Sequence, residues 1–227
     1  NGYNGVLRGN GTSFIEDGQF GTVLSLPGGS NGNYVQIPGD ALIGLDTVSV
    51  TGWIYAKSFT NYQRFFDFGQ NTTRNFWVAP TTGTTEGYRA RITITGWQEE
   101  KGPMVPGIAT NEWVHLAIVL DTANRTIKLY ENGVLVGQEG NISLTLEDVL
   151  HQTNPASNLL YIGKSQYSDP DLNANLYDFR VYSIALNDNQ VSTIYNNALS
   201  DETKVRAALS SINLGNLNNR TSDINLP

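Results

Sequence analysis

Short runs of Val, Ile, Thr, Phe and Tyr recur along the chain, separated by Gly, Asn, Asp and Pro. Within 47–55, aliphatic residues alternate with hydroxyl-bearing and aromatic ones, which is the period of a strand between a core and a partly covered face. The pattern predicts an all-β fold, an antiparallel two-sheet β-sandwich. The predicted strands are Thr22–Leu26, Tyr34–Ile37, Thr47–Tyr55, Gln63–Phe68, Asn75–Ala79, Tyr88–Thr95, Trp113–Asp121, Thr126–Glu131, Val134–Glu139, Leu160–Gly163 and Asn175–Tyr182.

The dipeptide Asn132-Gly133 joins two of these strands. Both residue types tolerate a positive φ, which the tight turn of a two-residue hairpin requires. The sequence therefore predicts a β-hairpin at this point.

Helical periodicity is weak until 183–199, where Asn187 or Asp188 is the predicted N-cap of a short helix that buries Val191, Ile194 and Tyr195. Residues 200–227 differ in character, because a short helical stretch gives way to an Asn-rich segment. We therefore predict one sandwich domain over residues 1–199, followed by a linker or the start of another domain over 200–227.

The amino-acid composition argues against several classes of function. The 8 Phe, 4 Trp and 11 Tyr among 227 residues can fill a sheet-on-sheet core. The net charge is −7 and the 14 basic residues are scattered, which argues against nucleic acid as a partner. No apolar run reaches the roughly 20 residues of a membrane helix, so membrane insertion is not expected. The absence of cysteine excludes disulfides and thiolate chemistry.

Six segments of the chain share a recognisable pattern: Ser49–Ile54, Gln63–Gly69, Trp113–Ala117, Lys128–Gly133, Tyr161–Gln166 and Tyr177–Tyr182. In this order and spacing they resemble the laminin-G-like, concanavalin A-like domains appended to bacterial glycoside hydrolases, arabinan- and arabinoxylan-degrading enzymes among them. The resemblance implies a jelly roll that serves as a non-catalytic carbohydrate-binding or accessory module. Its partners would be a plant polysaccharide or oligosaccharide and a covalently linked catalytic domain, in a secreted or cell-surface protein. Residues 205–227 are similar to the start of bacterial immunoglobulin-like domains.

The same resemblance implies a structural calcium ion that ties the N-terminal segment to Asp178. Its further ligands are expected from Asn1 and Asn4, with backbone carbonyls completing the six to eight oxygens that calcium prefers. The alternative for Asp178 is a carboxylate bonded to backbone or paired with Arg180.

Catalysis by this chain is not expected. Retaining glucanases of the same fold need two carboxylates on alternate positions of a strand, and no Glu-x-Asp-x-Glu pattern occurs. Glu99 and Glu100 are neighbours and read as solvated loop charges. His115 is expected to pack in the sheet, and His151 to lie in a loop.

Sugar-binding sandwiches use aromatic rings beside polar side chains. The loop after a predicted strand that carries Tyr167 and Asp169 is the favoured contact. Arg64 and Asp67 lie three residues apart on one predicted strand, so only one of them faces the site unless a bulge intervenes. The further candidates are Trp97 and Tyr88, each with half-buried packing as its alternative.

Two other functions stay open at the sequence level. The domain is a structural spacer that stiffens a surface protein, or it is an adhesin-type domain that binds protein. An exposed apolar patch, rather than a polar groove lined with aromatic rings, would favour the adhesin.

Overall fold

The computed structural model describes residues 4–30, 32–82 and 87–198. Within these residues, fourteen strands form two seven-stranded antiparallel sheets. The strands are β1 Val6–Arg8, β2 Ser13–Asp17, β3 Gly21–Gly29, β4 Tyr34–Ile37, β5 Val48–Ala56, β6 Phe66–Gly69, β7 Asn75–Ala79, β8 Tyr88–Thr93, β9 Met104–Val105, β10 Trp113–Asp121, β11 Thr126–Glu131, β12 Val134–Glu139, β13 Leu159–Ile162 and β14 Asp171–Tyr182. The predicted all-β, two-sheet sandwich is confirmed.

The sheets interleave distant parts of the chain. Sheet A has the order β1-β4-β13-β6-β7-β8-β9, and sheet B has the order β12-β11-β10-β5-β14-β3-β2. The core lies between them because each strand turns its apolar side chains inward, as Ile54, Phe76 and Leu116 do with no exposed surface. The outer face of sheet A is therefore free to carry polar and aromatic side chains.

The hairpin β11–β12 confirms the turn predicted at Asn132-Gly133. Both residues have positive φ, 50° for Asn132 and 79° for Gly133. The Asn132 side chain also accepts a hydrogen bond from the backbone of His115 at 2.9 Å, which ties the turn to the neighbouring strand.

A helix over 188–198, α2, covers part of the outer face of sheet B. It follows a short helix α1, Leu146–Val149. The N-cap of α2 is Asn187, which forms a reciprocal capping box with Gln190 through two 2.9 Å hydrogen bonds. Val191 is fully buried and packs with Leu186 in a second apolar cluster. The predicted helix and its cap are confirmed, although Ile194 and Tyr195, expected to be buried, are half-buried.

The structure differs from the sequence prediction at the sheet edges. Strands β1, β2 and β9 are short and exposed or half-exposed, so they carry little of the alternation that marks a strand. The predicted end of the sandwich at Leu199 and the segment 200–227 lie outside the described residues. No helix among the described residues is long and apolar enough to cross a membrane.

Candidate functional site

A pocket of about 370 Å³ opens on the outer face of sheet A. Its floor comes from strands β7 and β8 and from the connection before β6, and its walls come from the connection after β8 and the one between β13 and β14. The lining residues are Tyr62, Arg64, Trp77, Arg89, Trp97, Glu100, Tyr167 and Asp169.

Arg64 occupies the floor, and only 2% of its surface is exposed. Its guanidinium lies 3.8 Å from the centroid of the Trp77 ring and 3.1 Å from a carboxylate oxygen of Asp169. Burial lowers the pKa of Arg64, and the carboxylates of Asp67 and Asp169 act against that shift. The Arg64 cation on the floor of the pocket is thus held between the Trp77 ring and the carboxylates of Asp67 and Asp169.

Arg64 and Asp67 share this face because of a bulge. Phe66 pairs with Val78, and the backbone N–H of Phe65 donates to the same residue's carbonyl at 2.8 Å. Two consecutive residues thus oppose one, and both phenylalanines enter the core. The prediction of a regular strand over Gln63–Phe68 is therefore wrong for its first residues. The bulge that the sequence left open is present instead.

Asp67 is fully buried beneath the pocket and anchors the loop over 164–170. Its two carboxylate oxygens accept hydrogen bonds from the backbone and the side chain of Gln166, both at 3.0 Å. Burial raises the pKa of Asp67 to about 6, against the opposing effects of Arg64 and Gln166. This anchor positions Tyr167, whose hydroxyl donates to the carbonyl of Thr72 at 2.6 Å.

The opposite wall follows β8. The indole N–H of Trp77 donates to Glu100 at 3.0 Å, and burial raises the pKa of that carboxyl. Trp97 stands in a one-turn 3₁₀ helix, Trp97–Glu99, with 70% of its surface exposed. Because the Trp77 face is covered by Arg64, Trp97 is the indole whose surface is open to a ligand.

Tyr62 closes one end of the pocket. It has a positive φ of 62° and is 38% exposed, and the guanidinium carbons of Arg64 and Arg89 lie 5.7 and 5.6 Å from its ring centroid. A left-handed backbone at a non-glycine residue carries strain, which is often found at ligand sites. The Tyr62 ring is thus partly exposed at the end of the pocket, close to two cations.

Of the predicted contacts, the structure brings Arg64, Trp97, Tyr167 and Asp169 into one pocket. Asp67 lies below them as a support. Tyr88 requires a correction, because it is fully buried in the core and its hydroxyl donates to the carbonyl of Tyr130. Tyr88 shares the inward face of β8 with Ala90 and Ile92. Because side chains alternate between the two faces of a strand, these three residues point away from the pocket.

Tyr62, Arg89 and Glu100 line the pocket but were not among the contacts predicted from the sequence. Alternation along β8 was a usable signal, since an inward Tyr88 places Arg89 outward. Glu99 is exposed as expected, but Glu100 belongs to the pocket wall. Its role depends on contact with Trp77, far away in sequence, which alternation does not reveal.

Asp178 forms an ion pair with Arg180, with 2.6 Å between Oδ1 and Nε. This is the alternative that the sequence left open. Among the described residues, no group of three or more acidic or histidine side chains is placed to hold a metal ion. Asn4 is exposed and Asn1 lies outside the described residues, so calcium at this position stays a prediction.

His115 lies on the outer face of sheet B, away from the pocket. It is 1% exposed and packs between Trp53 and Tyr195 at ring distances of 5.2 and 5.8 Å. Burial lowers its pKa to about 4. The expected packing role is confirmed.

A model of the family described as the concanavalin A-like lectin/glucanases superfamily, Laminin_G_3, matches residues 28–192. No curated protein sequence is similar enough to match.

Among solved structures, the chain is similar to domain 4 of AbnA, a GH43 extracellular arabinanase from Geobacillus stearothermophilus, in complex with arabinotriose. The identity is 22% and the TM-score 0.67, over 84% of this chain and 87% of that one. It is also similar to the binding domain of botulinum neurotoxin DC in complex with rat synaptotagmin II, with 16% identity and a TM-score of 0.63. That match covers 87% of this chain and 48% of the neurotoxin chain, so this chain spans about half of its length. These likenesses show the fold.

Proposed function

Since this chain belongs to the concanavalin A-like lectin/glucanases superfamily, we propose that its lectin-like jelly roll is a non-catalytic module that binds a neutral oligosaccharide in the pocket on sheet A. The favoured ligands are arabinan- or arabinoxylan-type chains. The observation that carries the proposal is the pocket itself, where exposed aromatic rings surround charged and hydrogen-bonding groups.

The pocket's chemistry suits a neutral sugar. The Trp97 and Tyr62 rings offer apolar surface for the C–H face of a sugar ring. Two cations, Arg64 and Arg89, face two carboxylates, Glu100 and Asp169, so donors and acceptors are both present for hydroxyls. The ion pairs on the floor hold these groups in place before the ligand arrives.

The same ion pairs argue against hydrolysis. Asp169 accepts a hydrogen bond from Ser165 at 2.9 Å and pairs with Arg64, while Glu100 accepts one from Trp77. We therefore assign both carboxylates to the recognition of sugar hydroxyls.

Calorimetric titration with arabinotriose, xylotriose and a galactan trisaccharide tests the proposal. We expect binding of at least one of them, and Trp97→Ala should weaken it about tenfold. Phe14, 63% exposed on β2 outside the pocket, supplies the control Phe14→Ala, which should leave affinity unchanged. Absence of heat with every sugar at millimolar concentration would overturn the proposal.

We further propose that the module belongs to a secreted or cell-surface glycoside hydrolase, whose catalytic domain it keeps near a plant polysaccharide. The likeness to a domain of an extracellular arabinanase supports this. Fusing the module to an arabinanase catalytic domain should raise activity on insoluble arabinan and leave activity on soluble arabinotriose unchanged.

A second candidate, the adhesin-type domain that binds protein, is favoured by a different surface. An apolar opening of about 700 Å³ lies between the sheets at their β1–β4 and β2–β3 edges, with Leu7, Phe14 and Phe179 in its lining. Under this alternative, Phe14→Asp would abolish attachment to a protein-coated surface and Trp97→Ala would not.

A further inference from the structure

The outer face of sheet A continues beyond the pocket. Cross-strand pairing places Trp77 opposite Asp67, Asp67 opposite Tyr161 and Tyr161 opposite Gln36, so these residues form one row across β7, β6, β13 and β4. Adjacent strands lie about 4.8 Å apart, so Tyr161 is about 10 Å from Trp77. The loop over 164–170 covers Asp67 in the middle of the row and divides the face into two parts.

The part beyond the loop is a compact group that we term the tyrosine patch. Its rings, Tyr34 and Tyr161, meet edge to face with centroids 5.0 Å apart. The ammonium group of Lys164 lies 5.3 Å from the Tyr34 ring centroid. Arg8 donates to the side chain of Gln36 at 3.1 Å, and it is close enough to Tyr161 to oppose the rise that burial causes in that hydroxyl's pKa. The patch thus consists of Arg8, Tyr34, Gln36, Tyr161 and Lys164.

The charges of the patch are unbalanced. Arg8 is exposed and has no carboxylate within ion-pair distance among the described residues. Lys164 is 30% exposed, and its one carboxylate partner within the described part of the chain is the nearly buried Asp171, at 4.0 Å. Asp171 is already an acceptor for the backbone N–H of Asn33 at 2.9 Å. Two cations therefore face solvent beside tyrosine rings on a chain whose net charge is −7.

The balance of charge in the tyrosine patch differs from that of the pocket, where two cations face two carboxylates. We propose that the tyrosine patch is a second subsite, which binds a sugar unit bearing an anionic group. The sugar ring packs on Tyr34, and Arg8 and Lys164 hold the anion through charge-assisted hydrogen bonds. The class of ligand rests on the proposed saccharide binding, whereas the charge preference rests on the patch alone.

The test compares trigalacturonate, its neutral methyl ester and a sulfated galactose trisaccharide by calorimetry at low and moderate salt. Wild-type protein should bind at least one anionic sugar more tightly than the ester, and added salt should weaken that binding. Preference for trigalacturonate or for the sulfated sugar identifies the anion as a carboxylate or a sulfate. The double variant Arg8→Gln/Lys164→Gln should lose about tenfold or more in affinity for the anionic sugar.

The matched control is Arg125→Gln/Lys128→Gln, which removes the same charge from strand β11 of the other sheet and the turn before it, and should bind the anionic sugar as wild type does. Equal losses in the two double variants, or equal affinity for the acid and its ester, would overturn the subsite. So would the absence of anionic sugar binding at millimolar concentration.

Trp97→Ala separates this proposal from the proposed function. It should weaken neutral arabinotriose and leave the charge preference of the patch intact. Suppose that neutral sugars do not bind, whereas trigalacturonate binds and its binding depends on Arg8 and Lys164. That result would support the anionic subsite and overturn the proposed binding of neutral sugars in the pocket.

Discussion

Two buried titratable side chains have pKa values that are shifted in opposite directions. The pKa of Asp67 is raised from 3.8 to about 6, and that of His115 is lowered from 6.5 to about 4, each mainly by burial. Native Asp67 therefore holds its proton more tightly than the unfolded chain does, and native His115 less tightly. As pH falls from 6.5 to 4, Asp67 adds stability and His115 removes it.

His115→Phe should expose the contribution of Asp67, because phenylalanine keeps a ring between Trp53 and Tyr195 without titrating. Relative to wild type, the variant should gain up to about 3 kcal/mol of unfolding free energy between pH 7 and pH 4.5. Urea unfolding at the two pH values measures this change. An unchanged difference between them would show that the pKa of His115 is the same in the native and the unfolded state.

Asp67→Asn should loosen the pocket without unfolding the chain. Asparagine keeps one acceptor for Gln166 but turns an amide donor toward the second, so the loop bearing Tyr167 and Asp169 loses part of its anchor. We expect arabinotriose affinity to fall about tenfold and the contribution of this group to the pH dependence of stability to disappear. Calorimetry and urea unfolding report the two effects. The exposed substitution Asp40→Asn, which should change neither, is the control.

Among the elements, the β11–β12 hairpin depends most directly on its turn residues. Gly133 has a φ of 79°, and a Cβ there would lie 3.1 Å from the Tyr195 ring. Gly133→Ala should destabilise the protein by about 1–2 kcal/mol through backbone strain and displacement of helix α2.

Gly140 provides the comparison for this prediction, because its φ is not positive and a Cβ there would meet no atom within 4 Å. Gly140→Ala should therefore be within about 0.5 kcal/mol of wild type. Thermal unfolding of both variants checks the pair, and equal melting temperatures would contradict the assignment of strain to Gly133.

For the secondary-structure elements, the sequence predicted the features that depend on residues close together in the chain. Alternation identified the central strands, and Asn132-Gly133 and Asn187 marked a turn and a cap. The bulge at Phe65–Phe66 was not predictable in the same way, because it depends on both rings finding room in the core. The pocket was predicted in part: Tyr167, Asp169, Arg64 and Trp97 carry recognisable chemistry, whereas Glu100 and Tyr62 acquire theirs from distant partners.

Over the described part of the molecule, the two outer faces differ in the side chains they carry and in how far they are covered. The outer face of sheet A carries the pocket and the tyrosine patch, whereas that of sheet B is covered in part by α2 and packs His115, Val191 and Leu186. The two sheets and the core between them separate these faces, so a side chain on one outer face does not contact the other face. Binding and stability should therefore be separable by mutation.

Two variants test this separation. Trp97→Ala removes an exposed side chain and should lower sugar affinity while leaving the melting temperature within about 1 °C. Val191→Ala removes two fully buried methyl groups beneath α2 and should cost about 2 kcal/mol, or roughly 4–8 °C for a domain of this size, without changing sugar affinity. Calorimetric titration and thermal unfolding of each variant give all four values. A loss of sugar affinity in folded Val191→Ala would mean that the two sheets move together, so that packing under α2 shapes the pocket on the opposite face.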